Sequence, residues 1–234
     1  MRMIKNLMMA GAVASLATVA AVGAANAAAC PAPGTFLSTY VVQGFTCTIG
    51  DKTFSNFVYT PAVPTGSGSV NQATAVTVDP ISGPPNWGFM FGTLLDTGSN
   101  GTADTFISFD AAVTSGQALI NSASLVVTGA LTAGGGAVGS VGETLCLNPS
   151  CSVSDILTVD LSGLHSDAIT FAPTNFVGVT KDINVSSNGD GGTASISVVT
   201  NFVDQVTVPE PASLVLLGSA LVGFGAFRRR RKAA

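Results

Sequence analysis

The chain has 234 residues, 47% of them hydrophobic and 9% charged, with a formal net charge of −4. That charge is unevenly spread: between residues 28 and 207 the only bases are Lys52 and Lys181, against twelve acids, a balance of −10. A body of that sign cannot neutralise phosphates, which argues against nucleic acid as a partner, and it repels anionic lipid headgroups.

At the N-terminal end, Arg2 and Lys5 precede an uncharged run rich in Ala, Val, Leu and Met that closes on Ala25-Asn26-Ala27. A positive start, an apolar stretch and small residues before the cut are the marks of a secretory signal peptide. Residues 1–27 are therefore expected to be a cleaved leader; Gly11, Gly23 and the Ala-rich end fit a membrane-spanning anchor less well. Export gives the four cysteines, Cys30, Cys47, Cys146 and Cys151, a disulfide reading. Of three possible connectivities the local one, Cys30–Cys47 with Cys146–Cys151, is expected. A zinc site is the rival, but Cys30 and Cys47 lack the short spacing of a zinc knuckle. A lipidated Cys30 is a second rival, disfavoured by Ala27 where lipoproteins carry Leu.

Residues 28–207 then alternate short apolar-polar runs with Gly, Pro, Asn and Asp. Strands are predicted over 35–42, 53–60, 74–79, 105–110, 123–129, 156–161, 168–171, 177–185 and 193–202. Period-two alternation puts one side of each strand in a core and the other in water. No segment of this body has a sustained helical stripe. The expected fold is all-β, an antiparallel β-sandwich with jelly-roll-like connections as one option. The segments "GSGS" (66–69) and "TAGGGAVGSVGE" (132–143) read as flexible loops.

Five stretches invite a chemical reading. "LLDTGSN" (94–100) carries the Asp-Thr-Gly-Ser of aspartic proteases, but such enzymes need two carboxylates sharing a proton and no second copy occurs. A strand ending in a loop accounts for it. Residues 96–104 and "SNGDGG" (187–192) hold oxygen ligands suited to Ca²⁺, although Gly98 stands where a ligand is needed and no Glu closes the loop. His165 is the sole histidine and no Gly-x-Ser-x-Gly elbow accompanies it. Trp87, beside Phe89 and Phe91, reads as core in preference to a sugar-stacking surface. No catalytic residue, metal or cofactor is expected, and the body reads as non-enzymatic. The alternative is a secreted carbohydrate-binding module or a glycan hydrolase, the latter needing a paired-carboxylate cleft.

The last segment, 208–234, differs in kind. Pro209-Glu210-Pro211 interrupts any sheet or helix. Sixteen uncharged residues follow, 212–227, which as a helix extend about 24 Å, just short of a ~30 Å hydrocarbon core. Arg228, Arg229, Arg230, Arg231 and Lys232 then stop translocation on the cytoplasmic side. This Pro-Glu-Pro box, apolar run and Arg cluster resemble a PEP-CTERM sorting signal, a tail also catalogued as an ice-binding protein C-terminal domain. The resemblance implies transient recognition by exosortase and cleavage near the box, after an inner-membrane intermediate. It further implies residence on the surface or in the exopolysaccharide matrix of a Gram-negative bacterium, with extracellular polysaccharide as a partner class.

Overall fold

A computed structural model of the chain describes residues 27–84, 86–114, 118–132, 136–189 and 191–207. The predicted leader up to residue 26 and the tail from 208 lie outside the described residues. Twelve strands run in order: β1 (Thr35–Phe36), β2 (Thr46–Ile49), β3 (Lys52–Pro61), β4 (Thr65–Val70), β5 (Thr77–Gly83) and β6 (Asn86–Val113). They continue as β7 (Ala118–Thr132), β8 (Val138–Cys146), β9 (Ser154–Asp160), β10 (Ser166–Thr174), β11 (Phe176–Asn188) and β12 (Thr193–Thr207). Every ladder between them is antiparallel. The chain is thus all-β.

One strand organises the rest. The first part of β6 pairs β5 and β12, with Phe91 opposite Val78 on one side and Val199 on the other. Its second part pairs β3 and β11, with Ile107 opposite Tyr59 and Lys181. A single 28-residue strand therefore belongs to two layers, β1-β5-β6-β12-β7-β10 and β2-β3-β6-β11-β8-β9. The layers face each other across an aromatic cluster. Phe89 of the first meets Phe54, Phe57 and Phe109 of the second at ring-centroid distances of 4.8, 5.3 and 5.5 Å. Edge-on contacts of this kind add to the stabilisation that burial gives.

Two expected loops, and the end of a third, are strands, and for the first two the reason is glycine. The "DTGSN" stretch does not end a strand; β6 runs through it and turns the corner between layers. Gly98 and Gly101 serve close approach there, not a turn. A Cβ on Gly101 would lie 2.5 Å from the backbone nitrogen of Gly68, which is inside van der Waals contact. "GSGS" is not a free loop either: it forms most of β4, which crosses that corner with Gly66 opposite Gly101 and Gly68 opposite Thr97. The end of "TAGGGAVGSVGE" becomes β8, so that Glu143 enters the core instead of a loop. Conversely, the strand predicted over 35–42 shortens to β1 and a 3-10 turn at Leu37–Thr39.

Both disulfides have the local connectivity. Cys30–Cys47 ties the entering chain to β2, and Cys146–Cys151 closes the turn after β8. No free cysteine occurs among the described residues.

Candidate functional site

The two lysines of the body are its least expected feature, because both are buried with 0% exposure. Lys52, at the start of β3, sets its Nζ 2.9 Å from Asp51 Oδ1 and 3.9 Å from the ring centre of Trp87. It also donates to Gln205 of β12. Burial lowers its pKa, and the Asp51 carboxylate opposes that. Trp87 is thereby core, as predicted, with a cation on its face.

Lys181 of β11 lies directly across the ladder from Glu143 of β8, and its ammonium donates to Glu143 Oε2. The other oxygen, Glu143 Oε1, accepts from the side-chain amide of Asn201 on β12 at 2.8 Å. That amide nitrogen also lies 3.3 Å from the carbonyl of Ser124, while Asn201 Oδ1 is buried without a partner. Lys181, Glu143 and Asn201 are 0%, 1% and 0% exposed. Burial raises the Glu143 pKa and lowers that of Lys181, with each charge opposing the shift of the other. One carboxyl thus bridges an amine and an amide from two layers inside the core.

A consequence for the outside follows at once. No lysine or arginine reaches the surface among the described residues, whereas carboxylates such as Asp96 and Asp182 are exposed.

Among the cavities that indent that surface, two are lined by residues of the strands just described. The larger, about 570 Å³, is a groove on the outward face of β3, β6, β11 and the turn after β8. A bulge in β3 between Ser55 and Val58 turns Asn56 (φ 54°) into it, and Asn56 Nδ2 donates to Asp110 Oδ2 at 2.7 Å. Asn tolerates this left-handed conformation better than most residues. Gly178 forms the floor, in register between Asp110 and Cys146. A Cβ there would stand 3.1 Å from Asp110 Oδ1 and 3.5 Å from Phe176, so glycine keeps the groove open beside one partly exposed aromatic ring. The smaller, about 440 Å³, lies where the bulge of β12 between Ile196 and Val198 meets Thr93 (φ 61°) of β6.

The remaining predicted residues scatter. Asp96 lines the smaller cavity, but Thr97 is buried, its hydroxyl turned to the Gly98 carbonyl at 3.1 Å. The two oxygen-rich stretches do come together, Asn188 opposite Asn100 and Ser187 opposite Gly101. Even so, no three His, Cys, Asp or Glu side chains gather as metal ligands among the described residues. His165 is in a loop, its Nε2 3.2 Å from the Leu161 carbonyl. Sequence reasoning missed a carboxyl pair: Asp104 on β6 and Asp182 on β11 are diagonal neighbours on the outward face of one ladder. Burial, then the Asp182 charge, raise the Asp104 pKa.

Sequence reasoning also missed the buried triad, although a signal existed. Lys181 falls in phase with Val177, Val179, Ile183 and Val185; Glu143 with Val141 and Leu145; Asn201 with Val199 and Val203. Each occupies an inward position of its strand.

Strand β12 ends at Thr207, and a family model described as the PEP-CTERM protein-sorting motif matches residues 207–231. The chain is a PEP-CTERM domain-containing protein. The match takes in Pro209, Glu210, Pro211 and the four arginines, and stops short of Lys232. A PEP-CTERM sorting motif marks the chain as exported. No curated protein matches it. Among solved structures it is similar to TmCBM61 in complex with β-1,4-galactotriose, at TM-score 0.32 and 10% identity over 64% of this chain and 90% of that one. A carbohydrate-binding module of the β-sandwich superfamily gives TM-score 0.31 and 12% identity over 75% and 62%. The family 11 module from Clostridium thermocellum gives 0.21 and 12% over 62% and 88%. Likeness at this level bears on neither ligand nor activity. Among the described residues no helix is long and apolar enough to cross a membrane.

Proposed function

We propose that this PEP-CTERM protein is a non-enzymatic surface or matrix component. Residues 1–27 direct it through the inner membrane, residues 28–207 are displayed, and the tail 208–234 is recognised and removed by exosortase near Pro209-Glu210-Pro211. The observation that carries this reading is the sorting motif beginning at Thr207, where the last strand of the β body ends. In this scheme Arg228–Arg231 and Lys232 hold the chain at the cytoplasmic face and the apolar run parks it in the bilayer until cleavage. A charge at Leu217 costs about 2.5–3.5 kcal/mol of insertion free energy, so Leu217→Arg releases unprocessed protein. Mass spectrometry of the protein from its native host decides the matter. A mature chain still ending in "FRRRRKAA" makes the tail a permanent anchor and refutes the reading.

A second reading concerns what the body meets. The groove at Asn56, Asp110 and Phe176 offers amide and carboxylate partners for hydroxyls beside one aromatic ring. With no surface cation among the described residues, the polymer it suits is a neutral polysaccharide; uronate or sulfate groups would meet only like charge. A glycan array with wild type and Phe176→Ala tests this: binding confined to neutral glycans and lost in the variant supports it, and binding to acidic glycans overturns it. Turnover of any glycan overturns the non-enzymatic reading.

A further inference from the structure

We propose that the buried triad is the site of a self-formed covalent cross-link, in which Lys181 Nζ becomes amide-bonded to Asn201 Cγ with Glu143 relaying the protons. The inference rests first on placement. Lys181 and Glu143 are direct neighbours on the inner face of one layer, and Asn201 reaches them from the opposite layer. The two oxygens of a single carboxyl touch the amine and the amide separately, so nucleophile and electrophile are held on one relay group. Such fixed juxtaposition replaces a bimolecular encounter and removes much of an acyl-transfer barrier.

The chemistry balances with no other reactant. The Lys181 ammonium first passes a proton to the Glu143 carboxylate, leaving a neutral amine and a neutral acid. The Nζ lone pair attacks Cγ of Asn201 to form a C–N bond as the acid gives its proton to Oδ1, and the carboxylate so formed takes a proton from the nitrogen. The carboxyl hands that proton to Nδ2, the Cγ–Nδ2 bond breaks, ammonia leaves, and the proton on Oδ1 returns to Glu143 as the carbonyl re-forms. Amine plus carboxamide give a secondary amide plus ammonia, with no oxidant or metal. The surroundings favour it: the Phe109 ring centre is 5.9 Å from Nζ, and Val141, Leu145, Val179, Ile183 and Val199 of the flanking inward positions are buried. An apolar site stabilises the neutral amine that attacks and the neutral acid that polarises the amide, which agrees with the pKa directions of both groups. The partnerless Asn201 Oδ1 is the oxygen such an acid engages once the amide turns over.

The product serves an exported wall of two layers. It joins β11 to β12 across the core and exchanges a buried ion pair, costly to desolvate, for a neutral amide. The bond resists unfolding forces that no hydrogen-bond ladder withstands.

Mass spectrometry of the denatured, reduced chain purified from its host, with tryptic mapping, is the test. Lys52 and Lys181 are the only tryptic sites between residues 28 and 207, so an acylated Lys181 leaves the chain from residue 53 onward uncut there. The expected result is a mass lower by one ammonia, no cleavage after Lys181, and fragment ions joining 181 to 201. Full mass with cleavage after Lys181 overturns the proposal. So does loss of water, which marks a Lys181–Glu143 amide, and so does loss of ammonia with Lys181 still cleaved, which marks cyclisation of an asparagine elsewhere. Glu143→Gln is expected to show the full mass of its own sequence and cleavage after Lys181; a cross-link persisting in that variant overturns the relay role. The wild-type measurement stands whether or not the variant folds.

Discussion

Replacing single glycines with alanine separates a packed corner from a free loop at the "DTGSN" stretch. A Cβ on Gly101 would sit 2.5 Å from the nitrogen of Gly68, 2.7 Å from that of Ser67 and 2.7 Å from the carbonyl oxygen of Thr65. All three neighbours are backbone, so none can rotate away, and β4 must retreat from β6. Overpacking of this kind costs about 3 kcal/mol. With an m-value of about 2 kcal/mol/M, Gly101→Ala lowers the urea midpoint by about 1.5 M. Gly98 is a milder case, because its Cβ would meet the exposed Ser67 side chain at 3.0 Å, and Gly98→Ala should cost under about 1 kcal/mol. Gly142 has nothing within 4 Å of an added Cβ, and Gly142→Ala should stabilise by about 0.5 kcal/mol through the unfolded chain. Urea titration of the three variants by tryptophan fluorescence reads the order directly. Should Gly101→Ala fall within about 0.5 kcal/mol of wild type, the corner is not packed as described.

Other outcomes are expected of the core, the bridges and the carboxyl pair. Phe89→Ala removes the ring that joins the two layers and should cost about 3–5 kcal/mol; a loss below about 1 kcal/mol in the same titration rejects its central place. Thiol labelling of unreduced, denatured protein should find no reactive cysteine. Cys30→Ser with Cys47→Ser, opening a span of 17 residues, should cost about 3 kcal/mol. Opening the span of 5 residues at Cys146–Cys151 should cost about 2 kcal/mol, and a reversed ranking counts against the loop-entropy account. The folded-state pKa of Asp104 is raised, so the folded chain keeps a proton that the unfolded chain releases. Its contribution is greatest below the ordinary carboxylate range and fades as pH rises through the raised value. Asp104→Asn should therefore flatten the decline of the urea midpoint as pH rises from about 4, the ordinary carboxylate range, through the raised value; parallel curves for variant and wild type refute the coupling.

What the candidate sites owe to sequence differs from case to case. The Pro-Glu-Pro box and Arg cluster are contiguous, and recognition of a linear segment needs no fold, so they stand out from residues 209–232 alone. The groove was not visible. Asn56, Asp110 and Gly178 come from three strands, and only a bulge in β3 turns Asn56 to the outside. The triad was half visible: alternation marks Lys181, Glu143 and Asn201 as inward, but a charged residue in an inward phase ordinarily signals a bulge or an edge.

The sequence by itself determined the class of this protein: an exported all-β body ahead of a sorting tail, with cysteines paired locally. Period-two alternation can be satisfied only by strands with one wet face, and signals for export are read as linear segments. Tertiary structure alone decided where the glycines and the charges go. Gly66, Gly68, Gly98 and Gly101 look like loop residues until β4 is laid over the bend of β6, where their missing side chains are what permits contact. Lys181, Glu143 and Asn201 lie far apart along the chain, and alternation fixes a residue's face without naming its neighbour. Strand order supplies that neighbour, and with it a lysine, a carboxyl and an amide meet in a space that excludes water.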